Sequence, residues 1–498
     1  MALYSFPAPH GSNVKVNFGT TTNYGLSTWS QPAPSNGGNV SIFVAGMRAD
    51  STYHMQAVVT TASGDTVNDA DQTFTTGSIP ADMLPTITAQ TTPGLTPGDG
   101  VEMLNLFQDD PPTNQLTAVV TDLQGNVIWY FPIQPDPPFP MKPLPNGHIL
   151  VVTSDLIREI DLAGDVLFAL PLVQVQSALA SSGISLPALN FFHHDILKLD
   201  NGHLIFLIQF TRTDIPGSAE VAGDAIVDWD PHSQAPVWFW NTFDHLDLAH
   251  APFGIADWTH SNALVYSPDD GNLLVSMRNQ DWILKINYAD GKGDGTVLWH
   301  LGFQGDFTLP SGVGPIEWNY GQHYPVLLGP STSGIFPLMF FNNGTNRVID
   351  TAGTPCFSSP VPACASSVPV FQLNENDKTV QILSERNLAP AYSICCGSVV
   401  ALVNGNLEYD IALDVANTNF STIQEVTQGG SGTLAWKMQI NGELAYRGFR
   451  IPSLYPGVTW SQAALATATS AAKKVKVIGA AANAHPKLKS GYIPRAQP

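Results

Sequence analysis

Three histidines, His194, His260 and His323, each stand just before an apolar stretch, in FFHHDILKL, DWTHSNALVY and YGQHYPVLL. Aligned on an Asn-Gly step, Phe139, His194 and Gly397 fall eight residues before Gly147, Gly202 and Gly405, and His260 and His323 hold the same place where the turns are longer. Because Phe139 and Gly397 fill this slot elsewhere, the repeat does not demand histidine there, and a recurring imidazole argues for one shared site. Imidazoles near neutral pH serve as acid, base or nucleophile. Asn262, two residues from His260, lies on the same strand face, and Arg278 in VSMRNQ ends the same hairpin. Two chemistries compete. Three imidazoles from separate strands can bind Zn²⁺ facially, with Asp195 and Asp257 nearby. A guanidinium and an amide beside histidines instead suit a tetrahedral anion such as sulfate or phosphate, and the cationic charge repels a metal ion. Arg278 therefore favours group transfer, with no metal and no cofactor. Register prefers His194 over its neighbour His193, but does not choose a nucleophile among the three slots. His10, His54, His148, His203 and His232 occupy no such slot and read as structural.

The elements that must position these residues repeat. Six segments read as outer hairpins: AVVTDLQGNVIWYF, REIDLAGDVLFAL, AIVDWDPHSQAPVWFW, LKINYADGKGDGTVLWHL, VFQLNENDKTVQILSE and IQEVTQGGSGTLAWKM. Between them lie five inner hairpins, among them KPLPNGHILVVT, LKLDNGHLIFLI and LVYSPDDGNLLVSM. Six outer and five inner units predict an all-β six-bladed propeller over 101–460, if VEMLNLF and LAYRGFRIP complete the last blade and remove its free edges. In such a fold the slot residues converge at the mouth of the central channel. A parallel α/β fold is excluded by the lack of repeated amphipathic helical stretches, VQVQSALASSGI being the main exception. Residues 1–79 read as a fibronectin type III-like β-sandwich with a short or missing first strand and a corner tyrosine at Tyr53. Residues 80–100 are a Pro/Gly-rich linker expected to lack regular structure, and 461–498 a basic tail read as a solvated terminus.

Composition agrees with short strands and many turns: Gly 42 and Pro 39 are high while charged residues are only 12% of the chain. The formal net charge of −20 disfavours a nucleic-acid partner, which needs a basic footprint. No apolar run of about 18 residues offers a membrane span. The start lacks a signal peptide, yet the modular β organisation and few lysines suit a processed periplasmic or secreted product. Cys356 and Cys364 bracket a Pro/Ser-rich loop suited to a small disulfide, and Cys395-Cys396 is a vicinal pair; no CxxC metal site occurs.

The segments FFHHDILKLDNGHL, DWTHSNALVYSPDDGNLLVSMRNQDWILKI and YGQHYPVLL resemble the bacterial aryl sulfotransferases that move sulfuryl groups between phenols without a nucleotide donor. The H-x-N followed by R-N-Q is the most specific part, and the likeness spans roughly 100 to 460. It implies a six-bladed propeller behind a small N-terminal β domain, a nucleophile at His323, channel histidines at His194 and His260, and sulfuryl-binding side chains at Asn262 and Arg278. It also implies aryl sulfate donors and phenolic acceptors as partners, and leaves homo-oligomerisation open. Trp258, Trp318, Tyr320 and Tyr324 lie near these motifs and could stack on a phenol, or pack in the core. The family's disulfide precedes its nucleophile, whereas Cys356 and Cys364 follow His323. Two rival readings keep the same histidines or discard their chemistry: a metal-dependent hydrolase or lyase, and a non-catalytic extracellular binding propeller.

Overall fold

The computed structural model describes residues 1–108, 115–133, 137–348, 353–358, 364–415, 421–427 and 432–467. Of the basic tail, only its first residues, with the short helix Gln462–Thr467, fall among them. The chain is all-β, as its alternating apolar segments and turn residues require. The longest helix among the described residues, Leu172–Ser181, is the one amphipathic stretch legible in the sequence, burying Val175 and Leu179. Among the described residues no helix is long and apolar enough to cross a membrane.

Five four-stranded antiparallel sheets and a sixth of five strands follow one another among the described residues. Sheet one orders Glu443–Ile451, Val101–Gln108, Ala118–Thr121 and Val127–Phe131; sheet two runs from Met141–Pro143 through Ile149–Val152 and Leu156–Ile160 to Val166–Pro171. Sheet three comprises Leu189–Lys198, Leu204–Arg212, Val221–Asp230 and Ala235–Asn241, and sheet four Ser261–Ser267, Asn272–Met277, Trp282–Ile286 and Val297–Gly302. Sheet five contains His323–Leu327, Ile335–Phe341, Ser367–Asn374 and Thr379–Asn387; sheet six contains Val399–Ala401, Leu407–Ile411, Ser421–Val426 and Leu434–Asn441. Second strands such as Asn272–Met277 are buried along their whole length, as expected where both faces are covered. Fourth strands such as Thr379–Asn387 mix buried and exposed positions.

Sheet one joins the two ends of the repeat region, pairing Val101 with Ile451 and Gln108 with Glu443. Contacts between sheets link Leu189–Lys198 to Ser261–Ser267, that strand to His323–Leu327, and His323–Leu327 to Val399–Ala401. Val399–Ala401 meets Glu443–Ile451, and Val101–Gln108 meets Met141–Pro143. Lys142 Nζ donates to the Ile196 carbonyl at 2.9 Å, tying sheet two to sheet three. Arg450 clips the joint between sheets six and one. Its guanidinium meets Glu102 of sheet one and, at 2.8 and 3.2 Å, Glu408 and Glu425 of sheet six, all four side chains being buried.

Two expectations need correction. Residues 86–91, read within an irregular linker, form the strand Thr86–Thr91, which adds a fifth strand to sheet six by pairing with Leu434–Asn441. Its β-branched run TITAQT lies between the prolines of the linker, so the main-chain donors it needs are intact. The first N-terminal strand is not short or missing: Ala2–Ala8 pairs residue by residue with Gly38–Val44. A second N-terminal sheet is built on Asn13–Gly19 and Thr52–Thr60. Tyr53 is buried there, and its hydroxyl oxygen accepts the Arg48 N–H at 3.1 Å. One core runs from these strands into sheets one and two, with Phe18, Trp460, Val101 and Trp129 in the same cluster.

Candidate active site

The slot residues sit where the first strands of sheets three, four and five are irregular. Pairing register shifts between His193 and Ile196, between Ser261 and Ala263, and between His323 and Val326. A bulge places an extra residue in one strand and re-aims its side chains, so all three strands bend at the residues singled out by sequence. His260 itself has φ +48°, left-handed backbone uncommon for a non-glycine residue. Arg278 opens a 3-10 turn, Arg278–Gln280, between the second and third strands of sheet four, and its N–H donates to the His260 carbonyl at 3.1 Å.

His194 and His260 meet edge to edge, Nε2 to Nε2 at 3.2 Å, so one of them carries the shared proton. His260 Nδ1 lies 2.7 Å from Asp257 Oδ2. Burial alone would raise the Asp257 pKa, but His260, His193 and Arg278 outweigh it and hold the carboxylate ionised. His193 is buried beside the Asp224 carboxylate at 3.0 Å, which also accepts from Thr259 Oγ1 and the Ser261 N–H. Loss of hydration, then the charges of His193 and His260, press the His194 pKa well below 6.5, so its ring is neutral at pH 7.

His323 is buried. Its Nδ1 faces two acceptors, Asn343 Oδ1 at 2.7 Å and the Gly321 carbonyl at 3.1 Å, and therefore bears the proton. Its Nε2 accepts the backbone N–H of Cys396 at 3.1 Å. Burial, reinforced by Arg278, pushes the His323 pKa well below 6.5. Arg278 spends one nitrogen on Asn279 Oδ1 at 2.7 Å and one on the Ile394 carbonyl at 3.1 Å, while its buried Nε–H has no partner among the described residues. Asn262 is fully buried, donates from Nδ2 to the Gln322 carbonyl at 2.8 Å, and leaves Oδ1 without a partner among the described residues. It thereby ties the His260 strand to the residue before His323.

Several neighbours carried no signal in sequence. Tyr446 stacks on His194 with ring centres 5.0 Å apart, and Phe139, in the same slot as the histidines, packs 5.0 Å from Tyr446 and 4.0 Å from Phe107. This aromatic wall brings Phe107, Phe139 and Tyr446 together from the first two sheets. Of the aromatics named from sequence, Trp258, Trp318 and Tyr320 are buried, the latter two in the core between sheets four and five. Tyr324 lies under the Arg447 guanidinium at 4.8 Å. Asp195 is taken up by Lys142 at 2.5 Å and Arg447 at 3.3 Å, so it is no free metal ligand. Cys356 and Cys364 form a disulfide, which packs with Tyr392 and Ile394, while Cys395 and Cys396 are free thiols. One ring nitrogen from each of His193, His194 and His260 lies within 4.8 Å of the other two, a spacing that could admit a metal ion.

The arrangement offers a buried neutral imidazole with one lone pair, a guanidinium with an uncommitted donor, a proton-sharing histidine pair backed by a carboxylate, and an aromatic wall. Comparison with known proteins bears on its use. No curated protein matches the chain. Among solved structures, a protein of unknown function from Bacteroides caccae aligns at 10% identity and TM-score 0.40, covering 70% of this chain and 98% of that one. Drosophila Plexin A in complex with Semaphorin 1b aligns at 10% identity and TM-score 0.29, covering 66% and 54%. A Synechocystis apocarotenoid oxygenase aligns at 9% and 0.29, covering 91% and 95%. At these scores the likenesses carry no weight for fold or activity. The family model described as Arylsulfotransferase (ASST) matches residues 91–447. That span is more than half of the chain and holds His194, His260, Asn262, Arg278 and His323, and so the chain belongs to the arylsulfotransferase (ASST) family.

Proposed function

We propose that the chain transfers a sulfuryl group from a phenolic sulfate ester to a phenol, without a nucleotide donor, by a ping-pong reaction through a sulfohistidine at His323. The observation that carries this reading is the state of the His323 ring: buried, neutral, protonated on Nδ1, and close enough to Arg278 to feel its charge. In the first half-reaction the Nε2 lone pair attacks sulfur, the S–O(aryl) bond breaks, and the electron pair leaves on the phenolate oxygen. The His194–His260 pair, with Asp257 behind it, supplies the proton to that oxygen. In the second, the same pair takes the proton of the acceptor phenol, whose oxygen attacks sulfur, and the N–S electron pair returns to Nε2. The free Nε–H of Arg278 and the second Nδ2–H of Asn262 bind sulfuryl oxygens and stabilise the charge that builds up in transfer. Phe107, Phe139 and Tyr446 form the wall on which the phenol ring packs.

We further propose that the six sheets are the blades of a propeller, supported by the sheet shared between the two chain ends, by contacts between neighbouring sheets and by the Lys142 bond that links sheet two to sheet three. Residues 1–79 form a fibronectin type III-like module on this reading. A periplasmic or secreted location is supported by the Cys356–Cys364 disulfide.

The test is covalent. Incubation with 4-nitrophenyl sulfate should release 4-nitrophenol and leave an alkali-stable sulfonated peptide containing His323, and His323→Gln should abolish both. Neither product from the wild-type protein would sink the reading. The spacing of His193, His194 and His260 sustains one rival, a metal-dependent hydrolase or lyase. Activity lost on dialysis against chelator and restored by a divalent ion would establish that rival instead.

A further inference from the structure

Arg278 and His323 both touch the segment 393–396, which holds none of the slot histidines. Asn343 ends the run FFNN, whose two phenylalanines close the second strand of sheet five, and its side chain is fully buried between His323 and residues 393–396. Each of its polar atoms has a partner. Oδ1 accepts from His323 Nδ1 at 2.7 Å, and Nδ2 donates to the carbonyls of Ser393 at 3.1 Å and Cys396 at 3.2 Å. Those two carbonyls settle the amide orientation, because only the nitrogen can donate to them. Oδ1 is thus turned toward the ring and can only accept. The strap 393–396 reaches the site at two further points. Its Ile394 carbonyl holds Arg278, and its Cys396 N–H donates to His323 Nε2. The strap is anchored in turn by Ser393 Oγ, which donates to the Ala412 carbonyl at 3.0 Å, and by Ser366 Oγ, which accepts the Ser393 N–H at 2.9 Å.

We infer that Asn343 is the positioning residue of this site: it fixes the Nδ1–H tautomer of His323 and holds the strap whose Cys396 N–H occupies Nε2 until sulfate ester displaces it. The inference rests on the sulfohistidine reading for its consequence but not for its geometry. A neutral imidazole has one lone pair, and only the Nδ1–H tautomer presents it on Nε2, the nitrogen that faces away from Asn343 and Gly321. When Nε2 bonds to sulfur the ring becomes cationic while Nδ1 keeps its proton, and the same Oδ1 then stabilises that cation. A neutral amide does this without the excess stabilisation of a carboxylate, which would slow return of the sulfuryl group to the acceptor.

The experiment uses the whole protein labelled with ¹⁵N-histidine and two variants, Asn343→Leu and Asn343→Asp. Long-range ¹H–¹⁵N correlation reads the His323 tautomer in the absence of substrate, with the signal assigned through His323→Gln; kcat and KM for 4-nitrophenyl sulfate are then followed against pH. Wild-type His323 should show a protonated Nδ1 and an unprotonated Nε2. Asn343→Leu should give a mixed tautomer and lower kcat on the order of 100-fold with little change in KM. Asn343→Asp keeps the acceptor but loses both strap bonds, so it should retain the tautomer and move the acidic limb of the kcat profile upward by about one pH unit or more. A Leu variant that melts like wild type and keeps both the tautomer and the pH profile would overturn the inference. An inactive wild-type protein with the expected tautomer would overturn the sulfotransferase reading alone.

Discussion

At the scale of single residues, the site separates charge from the proposed nucleophile. His323 and His194 are kept neutral by burial and cationic neighbours, whereas Asp257 is kept ionised by His260. Two predictions belong here. The His323 pKa lies well below its ordinary 6.5, so kcat/KM for 4-nitrophenyl sulfate should stay level as pH falls through 6.5 and drop only at lower pH. A profile that already halves near 6.5 would contradict a desolvated nucleophile. The sign for stability follows: below 6.5 the unfolded chain binds protons that His194 and His323 refuse, so their contribution is full above 6.5 and is lost as pH falls toward their folded values. The second prediction concerns Arg278. Arg278→Lys keeps the charge but gathers its donors on one nitrogen, which cannot stand at the three places from which Nη1, Nη2 and Nε serve Asn279 Oδ1, the Ile394 carbonyl and a further acceptor, so kcat should fall on the order of 100-fold with the melting temperature little changed.

At the scale of elements, the turn after Arg278 is coupled to the approach to His323 through one carboxyl group. Asp281, with φ +55°, accepts the Gly321 N–H at 2.6 Å and the Asn346 amide at 2.8 Å, and its main-chain carbonyl accepts from Asn319. Burial pushes its pKa from 3.8 up to about 7, only partly offset by these donors and Arg278. A raised carboxyl stabilises the fold fully below its unfolded pKa, and that contribution is lost as pH rises through about 7. Asp281→Asn should therefore flatten the decline in urea-unfolding free energy between about pH 4 and 7 relative to wild type. Parallel curves for the two proteins would refute the shift. Gly321 itself, at φ +63°, admits no side chain: a Cβ would lie 1.9 Å from Thr345 Oγ1. Gly321→Ala should lower stability by at least about 1 kcal/mol and, by displacing the His323 approach, reduce kcat as well.

At the scale of the whole molecule, the last strand decides whether the ends of the repeat region stay joined. Arg450 on that strand lies among Glu102, Glu408 and Glu425, and burial together with Glu102 raises the Glu408 pKa well above its usual range. Arg450→Leu would leave buried acids without their cation and should cost about 3–5 kcal/mol, measured by urea unfolding. A loss below about 1 kcal/mol would show that the strand pairing of sheet one holds the joint without the clip.

The histidine slots, the hairpin repeat and the all-β class were legible in the sequence because strand period, Gly-bearing turns and register are local properties of the chain. The strand at Thr86–Thr91 was not, because its partner lies more than 340 residues away, at Leu434–Asn441. Asn343, Tyr446 and the Cys396 N–H were equally hidden. Asn343 and Tyr446 carry no spacing relative to the histidines, and a main-chain donor such as the Cys396 N–H has no side-chain signature. Arg278 and Asn262 could be picked out by type and register, but the Ile394 carbonyl that holds Arg278 and the Gln322 carbonyl that holds Asn262 lie far along the chain. The sequence by itself determined which residues could do chemistry and which repeating elements carry them. Only the tertiary structure decided which His323 nitrogen holds the proton, because a tautomer is set by the partners that long-range packing brings to each side of the ring.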